Sequence, residues 1–194
     1  MGEAMKILRF FIVLLMVHVS VLDAAAEQDK APLKAIAQLD FQRYLGRWYE
    51  IAKFPNRFQR QCVWGTSADY SLLPNGHIRV LNQCRNSAGN WEHAIGVAKP
   101  IEGPPTAKLK VRFAPEWLSF IPFVWGDYWV VDLDEKYELV AVSEPQREFL
   151  WILSRTPAVS DAAYTELLGR LAAMGLDIQK LEKTPQPPAA GNSK

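Results

Sequence analysis

Beyond the first 26 residues, the side chains best suited to nucleophilic, proton-transfer or soft-metal chemistry are His77, His93, Cys62 and Cys84. The histidines fall on different predicted strands, and no serine, cysteine or carboxylate is spaced to complete a catalytic set with either. Nor do these four residues have the close paired spacing of a zinc site, and there is no glycine-rich phosphate loop. Cys62 is the one nucleophile to weigh, and burial or pairing with Cys84 explains it better. The sequence therefore predicts no catalytic residue, no metal and no cofactor.

What remains is the chemistry of apolar surface. Hydrophobic residues make up 49% of the chain, with 7 Trp, 6 Tyr and 9 Phe, while a formal net charge of +1 gives no field for nucleic acid. Such a chain must pack or bind something greasy, and 194 residues suffice for one domain with a sizeable core.

Lys6 and Arg9 stand before an apolar run over 10–21, followed by Ala24-Ala25-Ala26. That order predicts a cleaved export leader over 1–26, since a membrane span usually needs about 20 apolar residues. Retention of the segment as an anchor is the alternative. The sequence places no cysteine ahead of Cys62 to carry an N-terminal lipid, so the expectation is an exported protein, periplasmic or secreted. Any association with the outer membrane would then use other means.

Export leads to an oxidising compartment, which favours a disulfide. A two-residue turn at Asn75-Gly76 would put Cys84 opposite Ser67, five positions from Cys62 and on the wrong face. Pairing then requires a bulge, and the reading leaves a bridge and two separately buried thiols open.

Alternating and aromatic segments recur from Gly46 onward, separated by turn residues, in the rhythm of an antiparallel meander. Strands are predicted over 46–54, 63–73, 77–85, 91–99, 107–113, 126–132, 137–143 and 149–155. Ser160 or Asp161 then caps a helix to about Met174, ended by Gly175, with Tyr164, Leu167, Leu168 and Leu171 on one side. Residues 184–194, with Pro185, Pro187 and Pro188, read as a disordered tail. Eight consecutive strands avoid free edges by closing, which predicts an all-β, eight-stranded up-and-down barrel with one helix outside.

Parity assigns the faces. With Glu138 outward, Val140 and Val142 point outward beneath the helix, while Leu139, Ala141, Trp151 and Leu153 point inward with Trp48, Glu50 and Ala52.

The segment Gly46-Arg47-Trp48-Tyr49-Glu50-Ile51-Ala52-Lys53-Phe54 resembles the first signature of the lipocalins. Asp134-Glu135-Lys136-Tyr137 resembles their turn between strands six and seven, and 149–157 resembles the end of strand eight. The likeness runs from Leu39 to about Lys183 and lies nearest the bacterial lipocalin and apolipoprotein D branch. It gives a domain over 27–183 and implies that Gly46, Trp48, Asp134, Tyr137 and Arg155 close the barrel, with Arg155 across the Trp48 ring.

The resemblance also implies that Trp151 lines an upper calyx beside strands five and six, where Val111, Phe113, Tyr128 and Trp129 are the contacts to consider, with Leu139 by parity. Glu50 would orient a polar head or meet a cation, because a lone buried charge is costly. The expected ligand is a lipid or similar apolar molecule, a fatty acid or lysophospholipid, with a role in maintaining the cell envelope. At the open end, Trp117, Leu118, Phe120, Ile121, Phe123 and Trp125 form a loop with few charges. It either covers the ligand, packs on the barrel, or docks peripherally on a membrane or a partner, which is the alternative function. The oligomeric state is open, a homodimer included.

Overall fold

The computed structural model describes residues 31–101 and 106–187, so the predicted leader and the end of the tail lie outside the described residues. The compact unit treated below begins at Leu33. All eight predicted strands form within two residues of their expected limits: β1 (Gly46–Lys53), β2 (Trp64–Leu72), β3 (Ile78–Arg85), β4 (Trp91–Pro100), β5 (Lys108–Arg112), β6 (Gly126–Leu133), β7 (Leu139–Ser143) and β8 (Leu150–Ser154). Each pairs antiparallel with the next, β1 with β2 included, and β8 returns to β1. The sheet is a closed barrel.

The seam between β1 and β2 is zipped only over its lower half, from Gly46 to Tyr49. Above that, the C-terminal segment fills the gap. A short strand β9 (Glu182–Lys183) pairs with Ala52 and Lys53. Thr184 N then donates to Ile51 O, and Gly65 N donates to Pro185 O. Gln186 Nε2 spans the opening, donating to Glu50 O at 2.7 Å and Thr66 O at 2.8 Å. Thr184 to Gln186, which composition assigns to a loose tail, are thus part of the wall.

The lower end is sealed around Trp48, which is fully buried. A short helix α1 (Phe41–Tyr44), capped by Asp40, crosses this end, and Trp48 Nε1 donates to Tyr44 O at 2.8 Å. The Arg155 guanidinium lies 3.9 Å from the Trp48 ring centre. It donates to the carbonyls of Arg47 at 2.9 Å, Arg43 at 2.6 Å and Tyr137 at 3.3 Å. Gly46 has φ +91°, and a Cβ there would sit 3.4 Å from Arg155 Nη1, so glycine serves both the turn and the approach. Asp134 Oδ1 accepts from the amides of Glu138 and Leu139, both at 2.7 Å, which holds the β6–β7 turn with Tyr137 at φ +63°.

A second layer is the helix α2 (Asp161–Ala173), begun by Ser160, whose side chain accepts from Ala163 N. Leu167 and Leu171 are completely buried in one cluster with Val131, Leu139, Ala141, Leu150 and Ile152. Each such leucine contributes about 1.5–3 kcal/mol. Arg170 pins the helix to β6 through Asp132, at 2.7 and 2.9 Å.

Three expectations are corrected. Val140 and Val142 point into the barrel, whereas Leu139 and Ala141 lie under α2. Glu138 misled the parity because it belongs to the turn, and β7 is buried on both faces, leaving no polar marker of its own. Ala52 also lies on the helix side, since a bulge between Glu50 and Ala52 shifts the β1 register. Cys84 is not opposite Ser67: that residue pairs with Gln83, because the hairpin closes Leu73 against His77 around a three-residue loop. A further register shift between Trp64 and Ser67 brings Cys62 and Cys84 to a Cα separation of 5.5 Å, and they form a disulfide.

Replacing Trp48 by Ala should cost about 3–5 kcal/mol, as for other buried large aromatics. Urea unfolding of the two proteins measures this; a loss under 1 kcal/mol would mean that the floor repacks freely.

Candidate functional site

The barrel interior divides into a polar-tipped aromatic floor and a mouth. In the floor, Tyr128 Oη lies 2.7 Å from Tyr44 Oη and 3.0 Å from Tyr70 Oη. The Tyr44 ring meets Trp48 at 5.1 Å and Tyr70 at 5.5 Å. Burial pushes all three phenols up, Tyr70 to about 12, so they remain neutral hydrogen-bonding groups at ordinary pH. Tyr128 therefore faces inward but is tied into the floor.

Above the floor the two walls differ in size of side chain. Val140, Val142 and Leu153 form one side, with Val111 and Trp151 half-buried against the same cluster. On the other side the register places Ala68, Asn82 and Ala94 side by side, with Gly96 opposite Val80. The side chains there are thus smaller than those opposite. Phe113, 43% exposed, lies against Gly96: a Cβ on that glycine would come within 2.8 Å of the Phe113 ring.

At the mouth, Trp151 stacks on Phe149 at 5.8 Å, and Phe149 meets Phe58 at 5.5 Å. Trp151 Nε1 donates to Gln59 Oε1 at 2.8 Å, and Gln59 Nε2 donates to Glu50 Oε2 at 2.6 Å. Thr184 Oγ1 donates to Glu50 Oε1 at 2.6 Å. Gln59 ends the 3-10 turn Arg57–Gln59 in the β1–β2 loop, and the disulfide ties that loop's far end to β3. One buried carboxylate thus joins the loop over the mouth to the C-terminal strap. Gln59 and Thr184 had no periodic signal; the one hint was an inward Glu50 without a sequence partner.

Of the residues expected to line a calyx, the structure brings Trp151, Val111, Phe113, Tyr128 and Glu50 to the interior or its mouth. It does not bring Leu139 or Trp129. Trp129 alternates outward from Tyr128 and packs in the α2 cluster, with Lys108 Nζ 4.8 Å from its ring. The loop after β5 divides. Trp125 packs down, its Nε1 donating to Ser119 O, with Leu118 and Ile121 half-buried. Trp117, Phe120 and Phe123 stand out at 72, 78 and 97% exposure. His77 and His93 stay apart, at the β2–β3 turn and on β4.

Burial raises the Glu50 carboxyl above its ordinary value, against the opposing effects of Thr184, Gln59 and Lys53. A raised folded value means that the folded state holds the proton longer than the unfolded chain. The group's contribution to stability is thus greatest below about pH 4.5 and falls as pH rises toward the folded value. Glu50→Gln should remove this component, so its stability relative to the parent should improve from pH 4.5 to 7.5 in urea titrations. A constant difference would show that Glu50 titrates as in the unfolded chain.

The sequence matches the model of the lipocalin-like domain over residues 39–186. It is 41% identical to temperature-induced lipocalin-1 of Arabidopsis thaliana over 159 residues, 81% of this chain and 85% of that one. Identity to the outer membrane lipoprotein Blc of Escherichia coli K12 is 40%, covering 78% and 82% of the two chains. Apolipoprotein D of Mus musculus is 36% identical, over 76% and 77%. Among solved structures, insecticyanin of the tobacco hornworm Manduca sexta superposes with a TM-score of 0.62 at 19% identity, over 81% and 86%. With a closed eight-stranded ring, an outer helix and a family match across nearly all described residues, the chain belongs to the lipocalin family, whose members generally bind small hydrophobic ligands.

Proposed function

We propose that this protein reversibly holds the acyl chain of a lipid in its upper barrel and performs no covalent chemistry. The observation that carries this reading is the asymmetric interior, with Val140, Val142, Leu153 and Trp151 on one wall and, next to Val80, the smaller Ala68, Asn82, Ala94 and Gly96 on the other. Removal of acyl surface from water supplies the affinity, at about 25 cal/mol per Å². Chain-length selectivity is loose, because one methylene changes binding by only about 0.8 kcal/mol.

The ligand enters through the mouth, where the Glu50–Gln59–Trp151 chain must part or accept a polar head in its place. Fatty acids and lysophospholipids fit that description. Two relatives named as an outer membrane lipoprotein and an apolipoprotein support an exported carrier that maintains envelope lipid. A second reading, docking on a membrane or partner, is favoured by one specific feature, the exposure of Trp117, Phe120 and Phe123 on a single loop.

Adding a long-chain fatty acid should quench or shift tryptophan emission. Trp151→Ala should remove most of that response and weaken binding about tenfold, roughly the loss of a well-buried aromatic contact, with unfolding by urea little changed. An undiminished response in that variant would place the ligand elsewhere.

A further inference from the structure

A cleft of about 620 Å³ opens on the outside of the barrel, between β3–β4 and the loop that follows β5. Its wall combines the apolar side chains Ile95 and Val97 with Lys99, Arg112, His77 and Trp125. Lys99 Nζ lies 4.2 Å from the Trp125 ring centre, and the Arg112 guanidinium carbon 5.2 Å from it. Both cations therefore lie against the same indole. Among the described residues neither forms an ion pair with a carboxylate.

Arg112 is the unusual member. It is only 6% exposed, its Nη1 donates to the Ala114 carbonyl, and its Nε is buried without an acceptor. Buried guanidinium groups are ordinarily satisfied through most of their donors, and an orphaned one costs free energy until an acceptor arrives. An oxyanion is the acceptor that suits a planar fork of donors beside an ammonium, since it takes charge-assisted hydrogen bonds from both. The only acidic lining residue is Glu116, exposed at the rim, where its charge opposes an anion.

We propose that this cleft is a second binding site, separate from the barrel interior, for the phosphate head of an amphiphile. Arg112 and Lys99 hold the phosphate oxygens while Ile95, Val97 and Trp125 take the first methylenes of its chain. The site does not depend on the barrel being a lipid carrier: Gly96 and Phe113 of the mouth also border the cleft, but Arg112 and Lys99 alternate outward from Val111 and Ala98, which face the interior.

Titration of the full chain with dodecyl phosphate below its micellar concentration, followed by ³¹P NMR, tests this. Arg112→Gln should weaken binding about tenfold, as for loss of a charge-assisted pair, and Lys99→Gln should weaken it less. Glu116→Gln should strengthen it, and added salt should weaken it. Lys99→Gln and Glu116→Gln keep the test valid if Arg112→Gln fails to fold. Competition by inorganic phosphate would identify the head group alone as sufficient; lack of competition, with the same variant effects, would show that the amphiphile's chain is needed. Binding that is indifferent to Lys99 and Glu116, or that is lost in Trp151→Ala, would overturn the proposal and put the probe in the barrel.

Discussion

A ring of strands has no free edge only if every strand is paired on both sides, and here closure falls on β1, which joins β8 to β2. Its lower half meets β2, Tyr49 alone pairs with both β2 and β8, and its upper half meets β8 on one side and the C-terminal strap on the other. The bulge between Glu50 and Ala52 reconciles these geometries by turning Ala52 toward α2 while leaving Glu50 facing the seam. The floor follows from the same strand. Gly46 and Trp48 begin β1, and Arg155 draws three carbonyls from separate segments onto the indole, so ring closure and end closure share residues.

The seam also shapes the mouth. Because β2 leaves β1 above Tyr49, the wall is completed by Thr184, Pro185 and Gln186. Glu50 is buried where wall, strap and lid meet, linking Gln59 to Thr184. A buried carboxyl in such a place is costly without partners, which explains why each of its oxygens accepts a hydrogen bond. Most polar groups are thereby gathered at the rim and in the tyrosine floor, and the wall between them is, Asn82 apart, one of apolar and small side chains. That distribution suits a ligand with one polar end.

Strands and helix limits were legible because alternation and capping by Ser160 are local signals, and the closing residues were legible through the resemblance of their segments to lipocalin signatures. Long-range details were not. The face of β7 could not be read, since Leu139 to Ser143 are buried on both sides and the polar neighbour Glu138 sits in the turn. Trp129 and Tyr128 are both large aromatics, and composition does not say which of two adjacent rings points inward. The hairpin register depended on whether the Asn75-Gly76 turn held two residues or three, and that one-residue difference decided where Cys84 stood. The strap was hidden for a different reason: a proline-rich segment is ordered here through backbone contacts that leave no pattern in side chains.

Intermolecular NOEs between a ¹³C-labelled acyl ligand and methyl-labelled protein would test the central claim most directly. Contacts to Val142, Leu153 and Val111, with none to Leu139, Ala141 or Leu167, are the predicted result. Contacts confined to the residues under α2, or none to the inner valines, would contradict a lipid-binding interior.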